Sequence, residues 1–436
     1  MSARNRAPSM PPALQRAFAQ SAYGTRMPAT DPPPWPEQKV AAGADPAYGN
    51  FGYAVAISGA TAIIGAPQTN IDGHDYQGTA YVFTESDGVW TLQQQLIAND
   101  GTPSSQFGHA VAIDGDTALV GAQIATVDGH PFQGAAYVFT QSAGVWTQTQ
   151  KLSASDGAAN GNFGGALALH NGVAIIGAYN ATVAGASERG EAYVFAASGG
   201  SWTEGQQLIA SDGVDGDQFG HAVAFDGTTA VIGAWSAAID GNVSEGAAYV
   251  FTQDAGSWTE TQKLVASDGA ANDEFSRSIA LSGATLLIGS AYATVGANAN
   301  QGALYAFNSI DGYWSETQKI VASDGAASDS FGYAAAIDGA TAVVGANGAT
   351  VNGNGCQGKA YVLELAGGVW SETQTLSASD STGCDFFGYS VGLADTAALV
   401  GADLATVGST TGAGAAYFYV RPADDTVFAD GFDDVP

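Results

Sequence analysis

A strict internal period of 56 residues constrains the fold of this 436-residue chain more than any other feature. The period runs through seven copies without an insertion and holds for Phe, Gly and Tyr positions alike. Such a period indicates an array of supersecondary units, each too small to bury its own apolar face. Seven uninterrupted copies favour a closed ring over an open stack. The copies begin at Phe51, Phe107, Phe163, Phe219, Phe275, Phe331 and Phe387.

One copy predicts four short β-strands and no helix. Residues 51–57 (FGYAVAI) alternate large and small side chains, which is the period-two pattern of a strand. Residues 61–66 (TAIIGA) form a short apolar run, and 79–84 (TAYVFT) and 89–98 (VWTLQQQLIA) predict two further strands. Four antiparallel strands repeated radially are typical of a β-propeller blade. The chain is therefore predicted to be all-β, a seven-bladed propeller.

The two ends of the chain predict how the ring closes. Residues 35–40 (WPEQKV) resemble a fourth strand, and Gln38 is in register with the repeated Gln94 and Gln150. The last copy has only three strands, so the N-terminal strand is expected to complete its blade and remove an exposed edge. Trp35 is one residue out of register, which predicts a bulge or shift near Pro36. We expect an arm at 1–32 that is disordered, a propeller at 33–422, and an acidic tail at 423–436.

Composition excludes several classes of partner. The chain carries 42 acidic and 12 basic side chains, a net charge of −30, which is the wrong sign for binding nucleic acid or anionic lipid. No apolar run is long enough to span a membrane. An acidic, solvated surface explains the charge more simply than a cation-binding role does. We expect a monomer.

The two cysteines, Cys356 and Cys384, fall in loops on the same face of the predicted ring, at one blade edge. A disulfide and two unpaired thiols are both compatible with this placement. A disulfide would favour an extracellular or cell-surface location, although the N-terminus lacks the pattern of a secretory signal. Export would then use another route or a different start.

The repeated motif resembles the FG-GAP repeat of integrin α-subunit propellers and of bacterial secreted proteins. The resemblance rests on Phe51-Gly52 followed by Gly65-Ala66-Pro67, and it extends over about residues 35–420. It implies a propeller that acts as a scaffold, with no enzyme activity and no cofactor. Blade five departs from the motif, because Ser276 replaces the Gly that follows Phe. A weaker similarity links residues 424–436 to acidic tails of some secreted proteins.

The family's calcium-binding blades carry Asp-x-Asp-x-Asp-Gly between their first two strands. Here the corresponding turns, such as residues 57–60 (ISGA) and 113–117 (IDGDT), are too short and too poor in acids. We therefore do not expect these turns to bind calcium as the family's calcium-binding blades do.

The long loops are predicted to share one face of the ring, where function is expected. The position two residues after each repeat Phe varies there and could form a polar-aromatic rim for a sugar or a small anion. Packing between blades is the simpler explanation of the same residues. These residues are Tyr53, His109, Gly165, His221, Arg277, Tyr333 and Tyr389.

Acidic pairs in the crossovers between blades are a second candidate. Their carboxylates could converge on a cation, but Asp followed by Gly is above all a turn signal. The pairs are Asp212 and Asp217, Asp268 and Asp273, Asp324 and Asp329, and Asp380 and Asp385.

We expect a non-enzymatic, exported binding or adhesion scaffold that recognises a protein or a glycan through the loop-rich face. One alternative is a carbohydrate-active hydrolase with paired carboxylates at the channel mouth. Another is a purely structural surface module. The repeat contains no nucleophile motif and no His/Cys metal cluster that would favour catalysis.

Overall fold

The computed structural model describes residues 34–42, 49–381 and 383–421. Within these residues the chain forms 28 strands in seven four-stranded antiparallel sheets and contains no helix. The sheets are the blades of one ring, so the prediction of an all-β, seven-bladed propeller is confirmed. The predicted arm at 1–32 and acidic tail at 423–436 lie outside the described residues.

Six blades run from an inner strand to an outer strand in chain order, and the seventh takes its outer strand from the N-terminus. The inner strands are β2 (Val55–Ser58), β6 (Val111–Asp114), β10 (Phe163–His170), β14 (Phe219–Phe225), β18 (Phe275–Ser282), β22 (Phe331–Asp338) and β26 (Ser390–Ala394). The second strands are β3 (Thr61–Ala66), β7 (Thr117–Ala122), β11 (Val173–Ala178), β15 (Thr229–Ala234), β19 (Thr285–Ser290), β23 (Thr341–Ala346) and β27 (Ala397–Ala402).

The third strands carry the repeated Tyr and are β4 (Thr79–Ser86), β8 (Ala135–Ser142), β12 (Glu191–Ser198), β16 (Ala247–Asp254), β20 (Ala303–Ile310), β24 (Lys359–Ala366) and β28 (Ala415–Val420). The outer strands are β5 (Val89–Leu96), β9 (Val145–Leu152), β13 (Ser201–Leu208), β17 (Ser257–Leu264), β21 (Tyr313–Ile320), β25 (Val369–Leu376) and, in the seventh blade, β1 (Glu37–Val40).

Tight turns join the first strand of a blade to the second and the third to the fourth. In blade one the second of these turns has positive φ at Asp87 (54°) and Gly88 (79°), as a two-residue hairpin requires. The connections from strand two to three, and from each blade to the next, are long and lie at the opposite end of the strands. The ring therefore has a plain face of tight turns and a loop-rich face, as predicted.

The repeat Phe side chains are completely buried between neighbouring blades. Phe107 packs against Ile63 and Val82 of blade one as well as Tyr137 of its own blade. Its ring centroid lies 5.4 Å from that of Tyr137, in an edge-on arrangement. Burying one such side chain contributes roughly 1.5–3 kcal/mol. Since each apolar cluster is shared by two blades, a blade depends on its neighbours for stability.

The repeated Gly of the second strand lets neighbouring backbones approach closely. A Cβ atom at Gly345 would collide with the carbonyl oxygen of Gly388 in the next blade. The backbone φ of Gly345 is ordinary, so the requirement for glycine comes from this contact alone. The same collision explains why glycine recurs at this position in all seven copies.

A glutamine clasp joins the outer strands of neighbouring blades. Gln94 Nε2 donates to the backbone oxygen of Trp146 (2.7 Å), and Gln94 Oε1 accepts from the Trp146 N–H (2.9 Å). Gln38 makes the same two bonds to Trp90, at 2.6 and 2.9 Å. Since Gln38 lies on β1, the clasp joins blade seven to blade one and closes the ring.

The N-terminal strand pairs with β28 in an unbroken register, Glu37 opposite Tyr419 and Gln38 opposite Phe418. Of the two alternatives expected near Pro36, the described strand shows the shift and not the bulge. The outer strands of the other six blades each carry a bulge, for example between the pairings of Val82 and Phe83 in blade one. Because β1 lacks that extra residue, Trp35 lies one position closer to Gln38 and still reaches the buried site that Trp occupies in the other blades.

Candidate functional site

The predicted rim residues lie at the loop-rich end of the inner strands, where they contact one another. Tyr53 Oη lies 3.0 Å from His109 Nε2, and the Tyr53 and Tyr389 ring centroids are 5.0 Å apart. The Tyr333 and Tyr389 rings are 5.2 Å apart. Arg277 donates to Tyr333 Oη at 3.0 Å and to His221 Nε2 at 3.3 Å. The side chains therefore form a nearly continuous ring, which we call the mouth ring.

Blade three has glycine at this position, and a different residue takes its place. A Cβ atom at Gly165 would collide with the ring of Tyr179. The Tyr179 ring also lies 5.4 Å from that of His221 and its hydroxyl donates to Gln123 Oε1 at 3.0 Å. Tyr179 thus completes the mouth ring. Packing between blades, the simpler of the two explanations from the sequence, describes these contacts well.

Burial keeps the histidines of the mouth ring neutral. It lowers the pKa of His109 to about 4, and burial together with the charge of Arg277 lowers the pKa of His221 to about 3. Burial also raises the pKa of Tyr53 to about 12. Arg277 is the charged member of the ring, and its guanidinium lies over the rings of Tyr333 (4.9 Å) and Trp235 (5.6 Å). Among the described residues it has no carboxylate within ion-pair distance.

A second variable set surrounds the mouth ring and was missed at the level of sequence. It consists of the residue directly after each Gly-Ala or Gly-Ser of the second strand. The signal was available, because this position differs in every copy while its neighbours repeat. We call these residues the outer set: Pro67, Gln123, Tyr179, Trp235, Ala291, Asn347 and Asp403.

A pocket of about 580 Å³ opens beside the mouth ring over blades five to seven. Its volume is in the range of small-molecule binding sites. The lining combines aromatic and polar side chains from both variable sets. The main members are Tyr292, Tyr333, Tyr389, Asn347, Asp403 and Phe386.

Asp403 is a buried carboxylate in this pocket with incomplete hydrogen bonding. Its side chain accepts from Asn50 Nδ2 at 3.2 Å, whereas Oδ1 is buried and has no partner among the described residues. Burial raises the pKa of Asp403 to about 6, although the Asn50 bond and the nearby backbone N–H groups of Asp403 and Leu404 act in the opposite direction. A carboxylate held in this way is typical of functional sites as well as of structural networks.

Glu274 is the second acidic group near the mouth ring. Burial raises its pKa to about 7, against the opposing charge of Arg277. It does not line the pocket, so Asp403 is the single carboxylate among the described lining residues.

The two members of each acidic crossover pair have different partners. Asp212 accepts from Tyr249 Oη (2.8 Å) and forms an ion pair with Lys263 (2.7 Å). Asp217 accepts instead from the backbone N–H of Val214 (2.8 Å), as a turn-stabilising Asp does. Blades five and six repeat both arrangements, with Asp268 and Asp324 in the first role and Asp273 and Asp329 in the second.

The pKa values of the two carboxylates are shifted in opposite directions. Burial raises the pKa of Asp212, but the hydrogen bonds from Lys263 and Tyr249 outweigh burial and hold this pKa below its usual range. Burial raises the pKa of Asp217. Across the described part of the chain, no group of three or more His, Cys, Asp and Glu side chains is arranged to hold a metal ion. Cation binding by these pairs stays a prediction.

The two cysteines meet at the edge of the pocket. The Cα atoms of Cys356 and Cys384 lie 4.5 Å apart with the sulfurs in bonding contact, a spacing that a disulfide spans. In the crossovers into blades two to six, the residue equivalent to Cys384 donates its backbone N–H to a carbonyl oxygen of the preceding long loop. In blade six, for example, the Ser328 N–H donates to the Ala299 oxygen (2.9 Å). The cysteine pair joins the same two loops where blade seven begins.

Comparison with known proteins bears on the fold and the family. A search of curated proteins finds no match to this sequence. Among solved structures, a Bacteroides uniformis protein described provisionally as a 6-phosphogluconolactonase matches with a TM-score of 0.51 and 12% identity. The match covers 75% of this chain and 85% of the other. At that identity the likeness shows the fold alone.

The described residues contain no helix that is long and apolar enough to cross a bilayer. The family model described as FG-GAP repeat matches seven segments, at residues 35–83, 90–139, 146–195, 202–251, 258–307, 314–363 and 370–419. The first segment starts at Trp35 and so includes β1, which places the N-terminal strand in the repeat. Because the seven segments together cover more than half of its residues, the chain belongs to the FG-GAP repeat family.

Proposed function

We propose that this chain is an exported, non-enzymatic binding scaffold that recognises a protein or a glycan through its loop-rich face, as a monomer. FG-GAP propellers generally serve as binding or scaffold modules, which supports the class of function. The choice of face rests on where the residues that differ between the seven copies lie. Residues that repeat build the blades, whereas those that differ between copies gather around the channel mouth and line the pocket over blades five to seven.

The plain face offers less for recognition. It is built of two-residue turns that repeat from blade to blade, such as Gly59-Ala60 and Gly339-Ala340. A shallow cavity of about 420 Å³ lies there between blades six, seven and one, beside Asp338 and Asp395. Partial burial and the neighbouring carboxyl of Asp395 raise the pKa of Asp338.

The pairing of Cys356 and Cys384 supports the export part of the proposal, because disulfides persist in oxidising compartments. The large negative charge supports it less directly, since it favours solubility wherever the chain resides.

Glycoside hydrolysis, the alternative raised from composition, requires two carboxylates that flank the scissile bond. The pocket provides one, Asp403, among its described lining residues. The likeness to the Bacteroides uniformis protein rests on the fold and transfers no activity. Binding without turnover is therefore the function that the geometry supports best.

The proposal is tested by screening the purified full chain against glycan and surface-protein panels. Binding is then measured for variants of each face. Phe132→Arg alters an exposed aromatic on the loop-rich face, Tyr292→Ala alters the mouth, and Val145→Arg is a matched change at an exposed residue beside a tight turn of the plain face. We expect at least one loop-face variant to weaken affinity about tenfold or more, as substitutions at interface hot spots do.

Val145→Arg should leave affinity unchanged. Loss of binding in Val145→Arg with no effect of the two loop-face variants would show that the plain face is the recognition surface and would contradict the proposal.

A further inference from the structure

The mouth of the propeller has two halves, which differ in whether their polar side chains have hydrogen-bond partners within the protein. Over blades two to four these side chains bond to one another. Asn180 Nδ2 donates to Asn162 Oδ1 (2.9 Å), and Gln218 Nε2 donates to Asn180 Oδ1 (3.3 Å). Tyr179 Oη donates to Gln123 Oε1 in the same network. This half has little hydrogen-bonding capacity left for a ligand.

The half over blades five to seven is different. The side chains of Tyr292, Ser330, Asn347 and Thr350 line the pocket and make no side-chain hydrogen bond to any described residue. Asp403 Oδ1 is buried beside them without a partner in the described part of the chain. Buried polar groups are normally hydrogen-bonded, so this unpaired carboxylate oxygen, in a pocket lined by further free donors and acceptors, indicates a missing partner.

Aromatic surface accompanies these polar groups. Tyr333 and Tyr389 pack at 46° to each other with centroids 5.2 Å apart, and both rings line the pocket together with Phe386 and Tyr292. Aromatic faces next to hydroxyl, amide and carboxylate groups suit a ligand that has apolar C–H faces and polar edges.

The charges around the pocket argue against a charged ligand. An anion would be repelled by Asp403 and would find no Lys or Arg among the described lining residues. Arg277 lies nearby, but its guanidinium is directed to His221 and Tyr333. A cation would be attracted by Asp403 but repelled by the Arg277 guanidinium, which lies over the Tyr333 ring at 4.9 Å. A neutral ligand rich in hydroxyl groups satisfies both constraints.

We infer that the pocket over blades five to seven is a binding site for a neutral carbohydrate, with Asn347 and Asp403 bonding its hydroxyl groups and Tyr292 and Tyr389 contacting its C–H faces. This inference rests on the proposed function and makes it specific in site and ligand class. About 580 Å³ accommodates one or two sugar rings.

The test uses the full chain and a panel of neutral mono- and disaccharides that includes glucose, galactose, mannose and N-acetylglucosamine. Glucuronate serves as the anionic probe and tetramethylammonium as the cationic probe. Saturation-transfer difference NMR reports binding and the protons in contact, and titration calorimetry gives the affinity. We expect at least one neutral sugar to bind saturably, with its C–H protons receiving the strongest transfer, and both charged probes to bind more weakly.

The variants assign the binding to this pocket. Asn347→Ala removes a buried amide, and Asp403→Asn replaces a charged acceptor by a neutral amide, so each should weaken sugar affinity about tenfold or more. The control Asp254→Asn makes the same chemical change at an exposed residue beside a plain-face turn and should leave affinity unchanged. Thermal unfolding of each variant verifies that the fold is retained.

Three results would overturn the inference: no neutral sugar binds, a charged probe binds more tightly than every neutral sugar, or sugar binding survives both pocket substitutions. The same experiments distinguish failure of this inference from failure of the proposed function. A protein or glycan ligand from the wider screen that depends on Phe132 but not on Asn347 or Asp403 would leave the loop-rich face as the recognition surface while removing the sugar pocket.

Discussion

Asp403 shows how one residue of a repeat can acquire a role that its six equivalents lack. The outer set places an apolar, amide or aromatic side chain at this position in the other blades, whereas Asp403 is ionisable and only 5% exposed. Its raised pKa means that the folded state binds the proton more tightly than the unfolded chain does. The free energy of unfolding therefore falls as the pH rises from about 4 to about 6, and it stays lowered at higher pH.

Asp403→Asn removes this penalty and should raise the free energy of unfolding at pH 7.5 by up to about 3 kcal/mol, because burial raises the pKa of the carboxyl from 3.8 to about 6. The gain should vanish near pH 4, where the wild-type carboxyl is protonated in the folded state. Chemical denaturation at both pH values measures the difference, with the exposed Asp254→Asn as control. Equal stability of wild type and Asp403→Asn at pH 7.5 would show that the carboxylate is satisfied. Higher stability together with loss of sugar binding would indicate a group retained for function.

At the scale of the element, the N-terminal strand β1 decides whether the seventh blade is complete. It has four residues, against eight in each of the other outer strands, and it lacks their bulge. The contacts of β1 with the neighbouring blades nevertheless match those of the other outer strands. Gln38 forms the clasp to Trp90, and Glu37 accepts from the hydroxyl of Ser379 at 2.7 Å. Trp35 is 8% exposed and lies with Phe387 and Leu376 in the cluster between blades six and seven.

Trp35→Ala should therefore destabilise the chain as much as Trp202→Ala, whose side chain is 7% exposed in the equivalent site of blade three. We expect each substitution to lower the free energy of unfolding by about 3–5 kcal/mol, the usual cost of truncating a buried Trp. Denaturant unfolding with both variants in parallel measures this. A cost below about 1 kcal/mol for Trp35→Ala alone would mean that β1 contributes little to closing the ring.

On the scale of the whole molecule, stability comes from closure and from contacts between blades. Each of the seven apolar clusters spans a blade interface, and in the described part of the chain six glutamine clasps span the outer strands. Cys356 and Cys384 add a covalent link across the junction of blades six and seven, where Ser381 replaces the Gly that the five preceding crossovers have at this position. The link also borders the pocket, since Cys356 is among its lining residues.

If the proposed export is correct, the chain isolated without reductant should have a mass lower by two hydrogens than the reduced chain. Removing the link by Cys356→Ser with Cys384→Ser should lower the free energy of unfolding by about 3–4 kcal/mol, the loop-entropy value for a separation of 28 residues. Mass spectrometry and denaturant unfolding provide the two measurements. Two free thiols in the exported protein would remove the disulfide and the main support for an oxidising compartment.

The sequence by itself determined the scaffold, because the 56-residue period repeats every feature that a blade needs: alternating strands, turn glycines, and a Phe for each interface. It also determined the closure through Gln38 and the division into plain and loop-rich faces, since strand direction alternates along the chain. The sequence left a bulge and a shift near Pro36 both open, because a register difference between two strands does not reveal which of them carries the extra residue.

Only the tertiary structure decided what the variable residues do. Tyr53 and Arg277 share one position of the repeat, so the sequence predicts both in one rim. Which neighbours they contact, His109 and Tyr389 for Tyr53 and His221 and Tyr333 for Arg277, depends on the radial arrangement of the blades. The same holds for Asp403, whose burial depends on Asn50 at the opposite end of the chain. Repeated positions obey local and nearest-neighbour rules that sequence expresses directly, whereas the satisfied and unsatisfied halves of the mouth arise from contacts that only the closed ring creates.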